Sequence, residues 1–523
     1  MLRRRKEIRE FSGKSDLFSR TKSAAIYGIE SKMVSVEADV SDGLPQFLMV
    51  GYLASEVKEA QDRVRIAIKN SGYKLMPKKV TVNLAPADIR KAGAGFDLPI
   101  AVAVLSSYGY IPKDLVEGIF FAGELSLDGG ICAVRGILGM VMEAKQGGCH
   151  TCIIPYDNLQ EGAVIQGIRV LGANHLKEVV SFLCAGIPLK TMSINIEEKF
   201  SEDSLRKTPD FSDIKGQHIV KRAAEIAAAG MHNILISGPP GAGKTMIASR
   251  IAGILPLMTT EEALEVSKIH SVAGVLPEEG ILYERPFRMP HHTISSAALA
   301  GGGAVPRPGE ISLAHRGVLY LDELPEFQKE TLEILRQPLE EGEIRISRNH
   351  AQCVFPADFM LVASRNPCKC GYYPDRRRCS CTEREVRQYL HRISRPLLDR
   401  IDIHVKAHPL GFEELTKTGT EETTKEIRSR VLNAQKRQLE RYKGTNFRFN
   451  SQLSSSSLET YCIFDEETKE KLHQIYEEKG LTARAFHKMI KVARTIADLD
   501  GSDTVQMAHL SEAVFYRPAE ELQ

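Results

Sequence analysis

The chain has 523 residues, of which 43% are hydrophobic and 26% charged, enough apolar material for about two to four ordinary domains. Its 69 basic and 67 acidic residues leave a net charge of +2, which excludes a bulk polycation coating nucleic acid but leaves room for a local basic channel. The longest purely apolar run, Leu98 to Leu105, falls well short of the roughly 18–20 residues of a membrane span, and no apolar stretch follows the basic start MLRRRKEIREF, so a soluble, cytoplasmic protein with no membrane partner is expected.

Residues 1–22 read as a basic tail. Residues 23–185 read as one α+β unit: MVSVEADV, KVTVNLAP and TCIIPY carry strand patterning, and SEVKEAQDRVRIAIKNSG carries helical spacing with Gly72 placed to cap its end. Cys149 and Cys152 have C-x-x-C spacing but precede an apolar strand, where no helix dipole would lower a thiol pKa, so buried core cysteines are expected. Residues 186–212 have linker composition. Over 213–408 strands alternate with helices, the pattern of a parallel α/β sheet. Residues 409–523 are mainly helical, with amphipathic stretches around a serine-rich break at Ser454 to Ser457. The basic helix from Lys425 to Lys443 reads as a solvated face.

The central region carries the chemistry. Gly238-Pro239-Pro240-Gly241-Ala242-Gly243-Lys244-Thr245 fits G-x-x-x-x-G-K-[ST], follows the apolar strand Asn233 to Ser237 and opens a helix. Glycines let backbone N–H groups face phosphate oxygens, Lys244 sets a charge on the β- and γ-phosphates, and Thr245 can ligate Mg²⁺. The buried-strand run Val318 to Leu321 ends in Asp322-Glu323: Asp322 would serve Mg²⁺ and Glu323 would polarise the attacking water. Asn366 ends the run FMLVASRN, where a polar side chain can orient water or sense the γ-phosphate. Arg400, in SRPLLDRIDIHV, and Arg484, in LTARAFHK, are candidate cations for the transition state. Each arginine taken alone fits a surface salt bridge better than a catalytic role.

Gly216-Gln217, the phosphate loop, PFRMPHHTISSAALAGGG, PRPGEISLAHRGVLYLDELPEF, a short hairpin, NPCKCG, LLDRID and TAR occur in that order. The series closely resembles the magnesium-chelatase-like AAA+ ATPase family of the ComM/YifB type, over about residues 22–516. The resemblance implies an α/β protein with a central AAA+ domain, a C-terminal helical lid and a homo-oligomeric ring, a hexamer, with ATP and Mg²⁺ bound between subunits. It implies DNA as partner, through helicase or branch-migration activity in recombination of incoming DNA. By position it makes Asn366 the first sensor, Arg400 the arginine finger and Arg484 the second sensor. Three departures stand out: Ser364-Arg365 where Ala-Met is usual, Arg395 in place of a Gly, and Ala485-Phe486 where Gly-Tyr or Ala-Tyr is usual. The N-terminal unit resembles the proteolytic domain of Lon through FAGELSLDGGICAVRGIL and CIIPYDN. Gly95 and Leu138 stand where that protease has its Ser nucleophile and its Lys, so no peptidase activity is expected. The alternative is a magnesium-chelatase motor subunit acting with a porphyrin-handling partner complex, which the Lon-like half speaks against.

Cys368-x-Cys370-x8-Cys379-x-Cys381 can form a tetrahedral Zn²⁺ site, although C-x-C pairs are tighter than the usual C-x2-C and four reduced thiols in a polar loop remain the alternative. Arg376-Arg377-Arg378 between them can touch phosphate or stay solvated. The hairpin GEIRISRNHAQCVFP, with Arg345, Arg348 and His350 near its tip, and the loop Met289 to Gly303, with His291-His292 and three glycines, are read through the resemblance as pore loops that grip DNA phosphates.

Overall fold

The computed structural model describes residues 17–194, 209–303, 306–348, 351–409, 411, 421–478 and 481–517. Two compact units result, residues up to 196 with 267–282, and 197–266 with 283 onward. Among the described residues no helix is long and apolar enough to cross a membrane.

The first unit is built on a seven-stranded mixed sheet. Phe18–Tyr27 and Glu30–Ser41 pair antiparallel from Phe18↔Asp39 to Tyr27↔Glu30, and Glu30–Ser41 pairs antiparallel with Lys79–Ala85. Ile119–Phe121, Thr151–Pro155 and Arg169–Ala173 extend the sheet in parallel on the other side. The helix Ser55–Asn70 buries Val57, Ala60, Val64, Ala67 and Ile68 along one stripe, as its spacing predicts. Gly72, at φ 89°, takes the left-handed turn past its end. The first strand begins at Phe18, inside the stretch read as a tail. Within that stretch its buried positions are Ser19 and Thr21, whose hydroxyls donate to Ala103 O (2.6 Å) and Pro99 O (3.0 Å) of the fully buried helix Asp97–Ser107. Buried positions filled by hydroxyls leave no apolar alternation to read. Cys149 and Cys152 are buried, and burial raises both thiols.

The second unit holds a five-stranded sheet in the order Phe287–Arg288, Val318–Leu321, Met360–Arg365, Ile234–Ser237, Ile403–Lys406, with every pairing parallel. The inner strands are buried along nearly their whole length, which is why they read as continuous apolar runs. The register sets Ser237 beside Arg365 and Leu321 beside Ala363, so three adjacent strands end at the same edge of the sheet, Val318–Leu321 two residues short of the other two. The residues that follow them, Gly238, Asp322 and Asn366, are thereby delivered to one edge, where open parallel sheets place ligands.

The C-terminal helices Thr424–Arg441, Glu466–Glu478, Ala483–Leu499 and Met507–Phe515 complete this unit. Thr423 and Glu426 form a reciprocal capping box, and Thr482 caps the helix that carries Arg484. The basic helix is less solvated than its composition suggests: Arg428 donates to Gly253 O, Arg430 pairs with Glu225, and Arg441 pairs with Asp498. Asp498 is fully buried and also accepts from Arg494 (2.8 Å) and Asn450 (2.9 Å).

Candidate functional site

Gly238–Thr245 links the strand Ile234–Ser237 to the helix Lys244–Ile254. Two of its glycines need their freedom: Gly241 and Gly243 sit at φ 79° and 78°. Gly238 needs its small size, since a Cβ there would lie 2.6 Å from Ala407 O.

Lys244 is nearly buried, and its Nζ donates to Gly238 O (2.7 Å), Pro239 O (2.9 Å) and Asn366 Oδ1 (3.0 Å). Burial lowers its ammonium pKa against the pull of Asp322 and Glu323. Thr245 Oγ1 donates to Asp322 Oδ2 at 3.1 Å. The structure thus brings the phosphate-loop residues, Asp322 and Asn366 into one hydrogen-bonded cluster. Glu323 follows Asp322 in the left-handed region at φ 51°, exposed at the strand end.

Two further residues shape the cluster. Tyr320 donates to Asp322 Oδ1 (2.8 Å) and to Thr245 Oγ1 (3.3 Å). Ser364 donates to Asp322 Oδ1 and accepts from the Glu323 N–H at 3.0 Å. Burial pushes the Asp322 carboxyl up, but the Ser364, Tyr320 and Thr245 hydroxyls outweigh it and hold it below its ordinary value. Tyr320 lies two residues before Asp322, hence on the same strand face, and that spacing is a signal that could have found it. Ser364 stands out in the sequence only as a departure from the usual pattern. Arg365 donates to Ser237 Oγ (2.9 Å), and Gln217 reaches Ala242 O (3.2 Å) and His408 O (2.6 Å), tying the loop at both ends.

The two candidate arginines lie outside this cluster. Arg400 pairs with Glu340 and donates to Pro396 O. Arg484 is exposed in the first turn of its helix, and Arg395 is exposed as well. A cavity of about 800 Å³ opens beside the phosphate loop, with Gly238, Pro239, Arg365, Tyr372, Arg378 and His408 in its wall.

The four clustered cysteines also converge: their Sγ atoms all lie within 4.8 Å of one another. In the first unit Gly95 O accepts from Gly123 N, and Leu138 is a buried helix residue, so neither position offers a nucleophile or base. The His291 and His292 rings lie with centroids 4.1 Å apart, their planes inclined by 34°. Arg345 pairs with Glu343 at 2.6 Å. His350 lies outside the described residues, as does the side chain of Arg348.

Comparison with known families and proteins agrees with this layout. The family described as magnesium chelatase, subunit ChlI, matches residues 210–415; subunit ChlI of Mg-chelatase matches 36–158, and the ChlI C-terminal family matches 421–517. The uncharacterized protein YifB of Escherichia coli (strain K12) is 42% identical over 503 residues, covering 95% of this chain and 96% of its own. The competence protein ComM of Haemophilus influenzae is 41% identical over 496 residues, with 95% and 96% covered. The chain belongs to the ComM/YifB-type family. The magnesium-chelatase 67 kDa subunit of Chlorobaculum tepidum is similar over a much shorter span, 30% identical over 161 residues, which is 30% of this chain and 23% of that protein. A magnesium-chelatase-like AAA+ protein is expected to use ATP with Mg²⁺. The side chains fit: Thr245 and Asp322 present hard oxygen donors 3.1 Å apart beside the phosphate loop, the donor type Mg²⁺ takes.

Proposed function

We propose that the protein is a ring-forming ATP hydrolase that uses the energy of hydrolysis to remodel DNA, by helicase or branch-migration action during recombination of incoming DNA. The observation that carries the hydrolase part is the single cluster of Lys244, Thr245, Asp322 and Asn366 at the ends of three adjacent parallel strands. Mg²⁺ would supply charge neutralisation and orientation of the phosphates, held by Thr245 and Asp322.

This chain's residues would act as follows. The backbone N–H groups of Gly241, Gly243 and Lys244, at the helix start, cradle the β-phosphate. Lys244 exchanges its loop carbonyls for phosphate oxygens while Asn366, already its partner, stays beside the γ-phosphate. Glu323, exposed at the mouth of the site, accepts a proton from the attacking water. Arg400 is proposed to neutralise transition-state charge in a neighbouring subunit, for which it would leave Glu340. Arg484 is proposed to reach the nucleotide from the C-terminal helices. That neither arginine meets the cluster of its own chain supports a ring, proposed to be a hexamer, in which they are brought to a nucleotide. The first unit is proposed to keep a Lon-like fold without peptidase chemistry, supported by Gly95 and Leu138, and to serve structure or DNA contact. The convergence of Cys368, Cys370, Cys379 and Cys381 supports Zn²⁺ as a second metal.

The DNA part rests on the name of the Haemophilus influenzae relative and on near full-length similarity to it. The chelatase-motor alternative is weakened by the short span shared with the Chlorobaculum subunit. The deciding experiment measures ATP turnover of wild type and Lys244→Ala with no DNA and with single-stranded, duplex and branched DNA, across salt concentrations. DNA-stimulated turnover that Lys244→Ala abolishes and salt weakens is expected. Equal turnover with and without every DNA removes the DNA reading.

A further inference from the structure

The segment from Pro367 to Cys381 leaves the sheet directly after Asn366 and returns into the helix Glu383–Leu390. It contains neither helix nor strand, and its buried interior consists of Cys368 and Cys379 packed with Val386, with Tyr372, Tyr373 and Leu390 around them. So small an apolar core cannot hold an irregular loop by burial alone. Its centre is sulfur: Cys368–Cys370, Cys370–Cys379 and Cys368–Cys379 Sγ separations are 3.3, 3.4 and 3.7 Å. A tetrahedral zinc with bonds of about 2.3 Å sets its sulfurs about 3.8 Å apart, so a small adjustment admits the ion. The Tyr373 N–H points at Cys368 Sγ (3.4 Å), the kind of donor that supports a metal-bound thiolate.

The two ligand pairs stand at the two ends of the excursion, and both ends are tied to the nucleotide site. On the entry side Cys368 lies two residues after Asn366, the partner of Lys244. On the exit side the helix after Cys381 brings the Tyr389 phenol to the Asn366 backbone. In the middle Gly371, at φ 87°, lies against the phosphate loop: a Cβ there would sit 2.4 Å from Pro240 Cδ and 2.7 Å from Pro240 Cγ.

We propose that Cys368, Cys370, Cys379 and Cys381 hold one zinc ion that braces the phosphate loop at Pro240 and fixes Asn366 from both sides, so that nucleotide turnover depends on a metal outside the nucleotide's own coordination sphere. The inference rests on the hydrolase reading and on the zinc assignment above, and adds what the metal does. Closing the excursion with a metal removes the freedom of an irregular loop, because the free energy of metal binding becomes free energy of folding. The brace is transmitted through contact at Gly371, and the four cysteines are positioning residues.

The test uses the full chain and three readouts: zinc content by elemental analysis, binding of a fluorescent ATP analogue with Mg²⁺, and ATP turnover. It compares wild type, wild type stripped of zinc and desalted, the Cys379→Ser/Cys381→Ser double variant, and Gly371→Ala. Wild type is expected to carry about one zinc per chain. Stripping is expected to weaken analogue binding and reduce turnover by about 10- to 100-fold, with recovery when zinc is returned. Recovery separates loss of the brace from loss of the fold, which the double variant alone would not. Gly371→Ala is expected to keep its zinc and still lose turnover, because the added methyl group displaces Pro240. Absence of zinc from wild type, full turnover after stripping, or full turnover in Gly371→Ala overturns the inference. A zinc-loaded wild type that binds the analogue but never turns ATP over overturns the hydrolase reading instead.

Discussion

Ser364→Ala removes a single hydroxyl from a fully buried position on the strand that ends in Asn366. That hydroxyl donates to Asp322 Oδ1 and accepts from the Glu323 N–H. Its loss leaves Asp322 with Tyr320, Thr245 and the Glu323 N–H as donors, and frees the backbone that aims Glu323. A hydrogen bond to a charged group contributes about 1.5–3 kcal/mol, which at about 1.4 kcal/mol per decade corresponds to roughly 10- to 150-fold. The Asp322 carboxyl should rise toward its ordinary value. Turnover measured as a function of Mg²⁺ and pH should show a lower maximum rate, a weaker apparent Mg²⁺ affinity and an acid limb moved to higher pH. Ser364→Thr, which keeps the hydroxyl, should lose much less. Unchanged turnover and Mg²⁺ dependence in Ser364→Ala would refute the assignment of Ser364 as the residue that orients Asp322 and Glu323.

Glu323→Gln keeps the size of the side chain and removes the proposed proton acceptor, so ATP analogue binding should persist while turnover falls by about 10²- to 10⁴-fold; loss of binding instead would show that Glu323 holds the nucleotide. Asp498→Ala leaves the buried guanidinium groups of Arg441 and Arg494 without their carboxylate and should destabilise the second unit by about 3–5 kcal/mol in denaturant titration, whereas a change within error would mean the network carries no net stability. Glu265 is held down to about 2 by its hydrogen bond to His315 and by Arg316, against an unfolded value of about 4.3. A depressed folded pKa stabilises above the unfolded value and is lost as pH falls through the folded one. Wild type should therefore be more stable than Glu265→Gln near neutral pH, with the gap closing between about 4.3 and about 2; a gap that widens on acidification would contradict the pairing.

The phosphate loop was legible in the sequence because everything it needs is local. Glycines able to take positive φ, a lysine, a threonine and a helix start stand in one contiguous stretch. The strands ending at Leu321 and Arg365 were legible because burial on both faces leaves unbroken apolar runs, and the capped C-terminal helices because their spacing and cap residues lie within a few positions of each other. The start of the strand that opens at Phe18 was hidden, since Ser19 and Thr21 fill the inward positions there and are satisfied by helix carbonyls. The sorting of residues 267–282 with the first unit has no local signature either. The parts of the site that only the tertiary structure decided all act across chain-distant elements. Parallel register sets Ser364 beside the Asp322 carboxylate, strand-end alignment puts Asn366 on Lys244, and the cysteine loop folds back until Gly371 meets Pro240. Sequence spacing determines which chemistry is carried on each segment, and through-space packing determines which of those segments share a site.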